Sequence, residues 1–229
     1  MSPRRRAPEP PLPVRDGLGP VRIRLHDGGR VVDKPHFLAT MPRGRHVTET
    51  ALVRLRKMLD LPELAPAHRL DRLTAGVLLF TVRRDVRSAY HALFAQRQVV
   101  KIYEALAPVK PGLSLPLTLR SRIIKRRSIL QAVEEPGPVN AETRVELVDR
   151  HDAVGRYRLT PSTGQTHQLR VHMNSMGVPI LNDPLYPDVV EVPPDDFTRP
   201  LQLLARTLAF RDPLNGKDVR YESGRALGQ

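Results

Sequence analysis

The run Gly76-Val77-Leu78-Leu79-Phe80-Thr81-Val82 carries no charge and no polar alternation, and it constrains the fold more than any other stretch of the chain. A half-buried strand would alternate, and so short a run cannot cross a bilayer. The residues therefore predict a strand covered on both faces, inside a layered domain. Directly before it stands His68-Arg69-Leu70-Asp71-Arg72-Leu73-Thr74-Ala75, with a carboxylate between two arginines. A neighbouring guanidinium favours the ionised acid, and an ionised Asp at the lip of a strand can act as nucleophile or base without a metal. An Asp that merely caps a turn is the plainer alternative, and the rest of the chain weighs against it.

Lys and Arg total 37 against 24 Asp and Glu, a net charge of +13 over 229 residues. Such a surface calls for a polyanionic partner, nucleic acid first, because basic side chains gain by releasing counterions from phosphates. The absence of cysteine removes disulfides, thiolate zinc sites and thiol nucleophiles, so a cytoplasmic location is expected. The basic opening residues lack the apolar core of a signal peptide, and no long apolar segment follows, so neither secretion nor membrane spanning is expected. Residues 1–20, with six prolines and the triplet Arg4-Arg5-Arg6, are expected to form a flexible basic arm ahead of a folded domain over 21–229.

From Val21 the alternation of Val21, Ile23 and Leu25 with Arg22 and Arg24 predicts a half-buried strand, followed by a strand ending at Asp33-Lys34-Pro35. A helix capped by Thr48, with Glu49 in its first turn, carries Ala51, Leu55, Met58 and Leu59. A second helix, capped by Asp85, has the stripe Val86, Ala89, Tyr90, Leu93 and Phe94. Val99 to Ala107 alternates and turns Lys101 and Tyr103 the same way; further strands are expected near 142–149 and 155–160. Strands and helices mixed without a regular β-α-β order predict an α+β domain with a mainly antiparallel sheet.

Ser162 to Met173 predicts a cap and then a helix ending at Gly177. On it, His167, Arg170, Val171 and Asn174 share one side, while Leu169, His172, Met173 and Met176 pack inward. His167 and His172 are five apart and diverge, unlike the i, i+4 pair of a zinc helix, so no metal is expected. No Gly-x-Ser-x-Gly turn or phosphate-binding loop occurs. His68 serves either as a general base or, more simply, as a local hydrogen-bonding group that orients the Asp71 loop.

Together, Val31-Val32-Asp33-Lys34-Pro35, HRLDRLTAG at 68–76 and TGQTHQLRVHM at 163–173 resemble the RluA family of RNA pseudouridine synthases, and Gly177-Val178-Pro179-Ile180 with Asp183 and Tyr186 extends the match. The resemblance implies the pseudouridine synthase fold, a mixed, mainly antiparallel central sheet split by a catalytic cleft. It implies isomerisation of uridine in structured ribosomal or transfer RNA, with no cofactor. On this resemblance Asp71 is the catalytic aspartate, attacking a flipped-out uridine at the base or at C1′. Tyr103 stacks on the base and removes the C5 proton, Arg170 pairs with the catalytic carboxylate, and Arg69 fills the gap left by the flipped base. His68, Arg72, Thr74, His167 and Gln168 are expected at the substrate, with Val171 and Leu79 as an apolar wall around the uracil.

Two positions depart from the family: Ala75 stands where serine is usual, and Leu204 where histidine is common. About 20 residues before Val21 are too few for the S4 RNA-binding module of many relatives, so the catalytic domain is expected to hold RNA itself. Arg120, Arg122, Lys125, Arg126 and Arg127 are the expected backbone grip, and a monomer is expected. A non-catalytic RNA-binding or assembly protein that keeps the fold is the alternative; the intact Asp71, Tyr103 and Arg170 weigh against it.

Overall fold

The computed structural model describes residues 21–42, 50–193 and 195–228. The proposed arm (1–20) and the cap residues Thr48 and Glu49 lie outside them. In chain order the elements are β1 (Arg22–His26), β2 (Gly29–Lys34), α1 (Ala51–Leu59), β3 (Ala65–Pro66), β4 (Ala75–Thr81), α2 (Arg87–Ala95), β5 (Val100–Pro108), β6 (Leu117–Ser121), β7 (Ile123–Ile124), β8 (Val133–Glu134), β9 (Ala141–His151), β10 (Val154–Pro161), α3 (Gln168–Ser175), β11 (Leu203–Arg211) and β12 (Asp218–Glu222). Ten strands make one sheet in the order β1-β2-β4-β11-β5-β10-β9-β6, with β12 on β11 and β3 on β4; β7 and β8 pair separately. β4 and β11 pair parallel through only two register positions, Leu204 with Ala75 and Ala205 with Gly76. The pairings between the other named strands are antiparallel. The result is a mixed, mainly antiparallel central sheet, as the sequence leads one to expect.

β4 is buried at every position, as its apolar run requires. Leu78 and Phe80 pack towards α1 with Leu52, Leu55 and Leu64, while Val77 and Leu79 pack towards α2 with Val86, Tyr90 and Leu93. Leu79 is therefore core under α2 and not part of a uracil wall, because the cleft opens at the N-terminal end of β4. A third cluster joins β5, β9 and β10 to Leu169, Met173 and Met176 of α3. Among the described residues no helix is long and apolar enough to cross a membrane.

Local caps differ from the sequence expectation. Thr50 caps α1, its hydroxyl accepting from the Val53 amide at 3.3 Å. Asp85 does not cap α2; its carboxylate pairs with Arg83 at 3.2 Å in solvent, and the helix begins after Val86 without a side-chain cap. The expected alternation holds for Val21, just before β1, but fails at Leu25, which is exposed on this edge strand, while His26 is buried.

One row across the sheet positions the site. Lys34 is the register partner of Gly76, Gly76 of Ala205, and Ala205 of Tyr103. Gly76 takes φ +112° and lies so close to β11 that a Cβ would stand 2.2 Å from the Ala205 carbonyl oxygen, so only glycine fits. That close approach brings the Asp71 loop beside Tyr103.

Candidate active site

A cleft of about 610 Å³ opens between the Asp71 loop, β5 and the 161–170 segment. Asp71, Tyr103 and Arg170 all line it, together with Arg69, His68, Thr74, His167 and Gln168.

Backbone carbonyls, each held by a donor, fix the Asp71 loop. The Thr40 hydroxyl donates to Leu70 O at 2.8 Å and accepts from the Leu70 amide. The Thr74 amide donates to Asp71 O at 3.1 Å. Lys34 Nζ, wholly buried, donates to Pro35 O (3.0 Å), Leu38 O (2.7 Å) and Arg72 O (3.3 Å). Burial lowers the Lys34 pKa to about 7, with Asp71 pulling the other way. His36 bonds Leu73 O through Nδ1 at 2.7 Å; since a carbonyl only accepts, that nitrogen carries the proton. Burial drives the His36 pKa down to about 4, so the ring is neutral at pH 7.

Arg170 does not have Asp71 as its main partner. Its Nε donates to Asp183 Oδ2 at 2.7 Å and its Nη2 to Asp183 Oδ1 at 2.5 Å, whereas Asp71 Oδ2 lies 3.9 Å from Nη1. Both members of the Arg170–Asp183 pair are buried, and the fork of the guanidinium satisfies the carboxylate bidentately. Asp183 also accepts from the Leu185 and Tyr186 amides. The third corner of Arg170 is thus left towards Asp71, which is about a quarter exposed at the cleft. Burial works against the Arg170 charge, and Asp183 outweighs it.

Tyr186, 5.2 Å from the Arg170 guanidinium, bonds His167 Nδ1 at 3.0 Å and both the amide and carbonyl of Ala132. His167 takes φ 58° just before α3, and burial pushes its pKa to about 4. Gln168 is a structural hub: its amide group donates to Glu142 O and Thr143 Oγ1 while its oxygen accepts from Thr163 and Gln165. His68 accepts from the Leu79 amide through Nε2 at 3.2 Å and stacks on Phe94 at 4.6 Å. Burial, then the Lys101 ammonium, push its pKa to about 3, which leaves a neutral ring that orients the loop. Burial, then Asp71, raise the Tyr103 pKa, so it is a phenol at neutral pH.

Three expected substrate contacts are absent from the cleft wall. Leu79 belongs to the α2 core, and Val171 packs with Ile123, Ala132, Ala141 and Tyr186, because α3 is buried on both sides. Arg72 does not line the cleft; its guanidinium lies 5.8 Å from the Phe37 ring. The apolar lining comes instead from Leu70, Tyr103, Leu169 and Leu203. Of the expected backbone grip, Arg120 is paired with Glu142 at 2.7 Å and Arg126 with Glu135 at 2.5 Å; Arg122 donates to Pro136 O and Lys125 to Arg126 O. Acids and carbonyls of the same hairpin take up much of this charge.

The two departures from the family, Ala75 and Leu204, prove to be register partners across the β4–β11 seam, both fully buried.

The sequence matches the RNA pseudouridylate synthase family over residues 30–175. The human pseudouridylate synthase RPUSD2 is 32% identical over 182 residues, covering 79% of this chain and 33% of its own. This chain thus spans about a third of that relative's length. The dual-specificity RNA pseudouridine synthase RluA of Vibrio cholerae is 35% identical over 188 residues, 79% of this chain and 73% of that one. The solved structure of human RNA pseudouridylate synthase domain containing 4 superposes with a TM-score of 0.69 at 26% identity, covering 90% of this chain and 88% of that chain. Motifs, fold and relatives converge: the chain belongs to the RluA family of RNA pseudouridine synthases.

Proposed function

We propose that this protein isomerises uridine to pseudouridine in structured ribosomal or transfer RNA in the cytoplasm, acting as a monomer, with Asp71 as the nucleophile. The observation that carries the reading is the convergence of Asp71, Tyr103 and Arg170 on one cleft large enough for a nucleotide.

The target base must leave its stack to reach Asp71, and Arg69, exposed at the cleft, has the planar, forked donor set to occupy the vacancy. Attack by the Asp71 carboxylate at the base or at C1′ breaks the N1–C1′ bond. The uracil turns within the walls of Leu70, Leu169 and Leu203, C5 bonds to C1′, the bond to Asp71 breaks and restores the carboxylate, the C5 proton leaves and N1 gains one. Atoms balance, so the chemistry requires no co-reactant.

Tyr103 is a phenol while the Asp71 charge is beside it. In the final exchange its hydroxyl gives its proton to N1 and takes the one leaving C5, so it begins and ends as a phenol, and before that its ring serves as the stacking surface. Arg170, locked on Asp183, presents a fixed cation to Asp71, which holds the carboxylate in line at no ordering cost during turnover.

Pseudouridine mapping of total RNA tests this in cells lacking the gene and in cells rescued with wild type or Asp71→Ala. A site lost in the knockout and restored by wild type alone supports the reading and identifies the substrate. Restoration by Asp71→Ala would refute the role of Asp71, and an unchanged map would favour an RNA-binding protein without turnover.

A further inference from the structure

The cleft wall also carries positive charge that no carboxylate among the described residues pairs. Lys101 projects from β5 on the same face as Tyr103, and its Nζ donates one hydrogen bond, to Thr163 O at 2.8 Å. An ammonium has three donors, so two remain for a ligand. Arg97, just beyond α2, lines the same cleft and is exposed. Both cations line one cleft, and burial and then the charge of Arg97 lower the pKa of Lys101. Neither is ion-paired to a carboxylate among the described residues, in contrast to Arg120 and Arg126. Arg97 also takes φ 58°, a left-handed conformation that disfavours a side chain with a Cβ.

Gly164 faces the same space. Its backbone takes no torsion reserved for glycine, and a Cβ there would meet only Lys101 Nζ, at 3.9 Å. The protein's own packing therefore does not require glycine here. The missing side chain leaves the floor beside Lys101 open to something that is not protein.

We propose that Lys101, Arg97 and the bare backbone at Gly164 form a phosphate subsite that grips the RNA backbone next to the flipped uridine. Like charges held together on a cavity wall repel until an anion lies between them, and a phosphate supplies that anion with oxygens for both. Same-face residues two apart on a strand lie about 7 Å from one another, so a base stacked on Tyr103 sets its flanking phosphate within reach of Lys101. The inference rests on the RNA isomerase reading above.

The test uses the full chain and RNA labelled with [5-³H]uridine from cells lacking the gene, with tritium release as the activity and filter binding of the same RNA across salt. Lys101→Gln and Arg97→Gln should each raise KM and Kd about tenfold, the loss of one charge-assisted contact. Together they should flatten the log–log salt dependence by about 1 to 2. Lys101→Arg should stay near wild type, and Gly164→Val should raise KM without changing the salt slope. Arg83→Gln, outside the cleft, is the control. Unchanged KM and slope in the double variant overturn the proposal. So does a loss confined to kcat, which would mean that Lys101 only props up the Thr163 loop. If wild type releases no tritium, the isomerase reading fails by itself, while the salt slope still decides whether these cations grip phosphate.

Discussion

Asp183→Asn should be among the most damaging conservative substitutions in the protein, although Asp183 is not the nucleophile. The carboxylate is wholly buried and accepts from four donors: Arg170 Nε and Nη2, and the Leu185 and Tyr186 amides. An asparagine can keep Oδ1 for the amides and Nη2, but its NH2 group must then face Arg170 Nε–H, two donors in opposition. Arg170 is left buried without its counter-charge. Breaking a buried pair from one side costs about 3–5 kcal/mol. For a chain of this size each kcal/mol lowers Tm by about 2–4 °C, so the expected fall is roughly 6 to 20 °C. Differential scanning calorimetry with urea unfolding measures it. Replacing both partners, Arg170→Met with Asp183→Leu, should recover much of the stability and none of the activity, because the cation facing Asp71 is gone. A fall below about 2 °C for Asp183→Asn would refute the claim that this pair anchors the site.

Lys34→Met removes the shared donor from three carbonyls and should cost about 2–4 kcal/mol, with faster amide exchange over residues 70–74; protection like that of wild type there would contradict the pinning role. Acidification should destabilise the protein: His36, His68 and His167 have folded pKa values of about 4, 3 and 4 against 6.5 unfolded. The unfolded chain therefore binds protons first as pH falls from about 6.5 towards 4. Stability should decline there by up to about 1.4 kcal/mol per pH unit for each histidine, and urea midpoints that hold steady over this range would refute it. Ala75→Ser should destabilise by about 1–3 kcal/mol through a buried, unpartnered hydroxyl, and adding Leu204→His should cost less than the sum of the single changes; strict additivity would show that the two positions are not coupled.

What the sequence made legible was what repeats or alternates. The unbroken apolar run of β4, the paired direction of Lys101 and Tyr103, and the inward Leu169–Met173–Met176 stripe follow from side-chain period alone, and the structure has them so. Leu79 lies in the core under α2, and a strand buried on both faces carries no signal of which side meets the cleft. The partner of Arg170 lies thirteen residues on, in a loop with no period, and two carboxylates compete for one guanidinium. Lys34, His36 and Thr40 act on backbone carbonyls, which every residue has, so no residue type marks their targets. His26, Tyr90, Asp212 and Tyr221 form a buried polar cluster drawn from across almost the whole chain, visible only after folding.

The most direct test of the account compares wild type with Asp71→Asn, as purified proteins, in tritium release from [5-³H]uridine-labelled RNA, with RNA affinity and melting temperature measured on the same samples. The account predicts release by wild type, none above background by Asp71→Asn, and matched affinity and stability. Release by Asp71→Asn at a rate near that of wild type would contradict it.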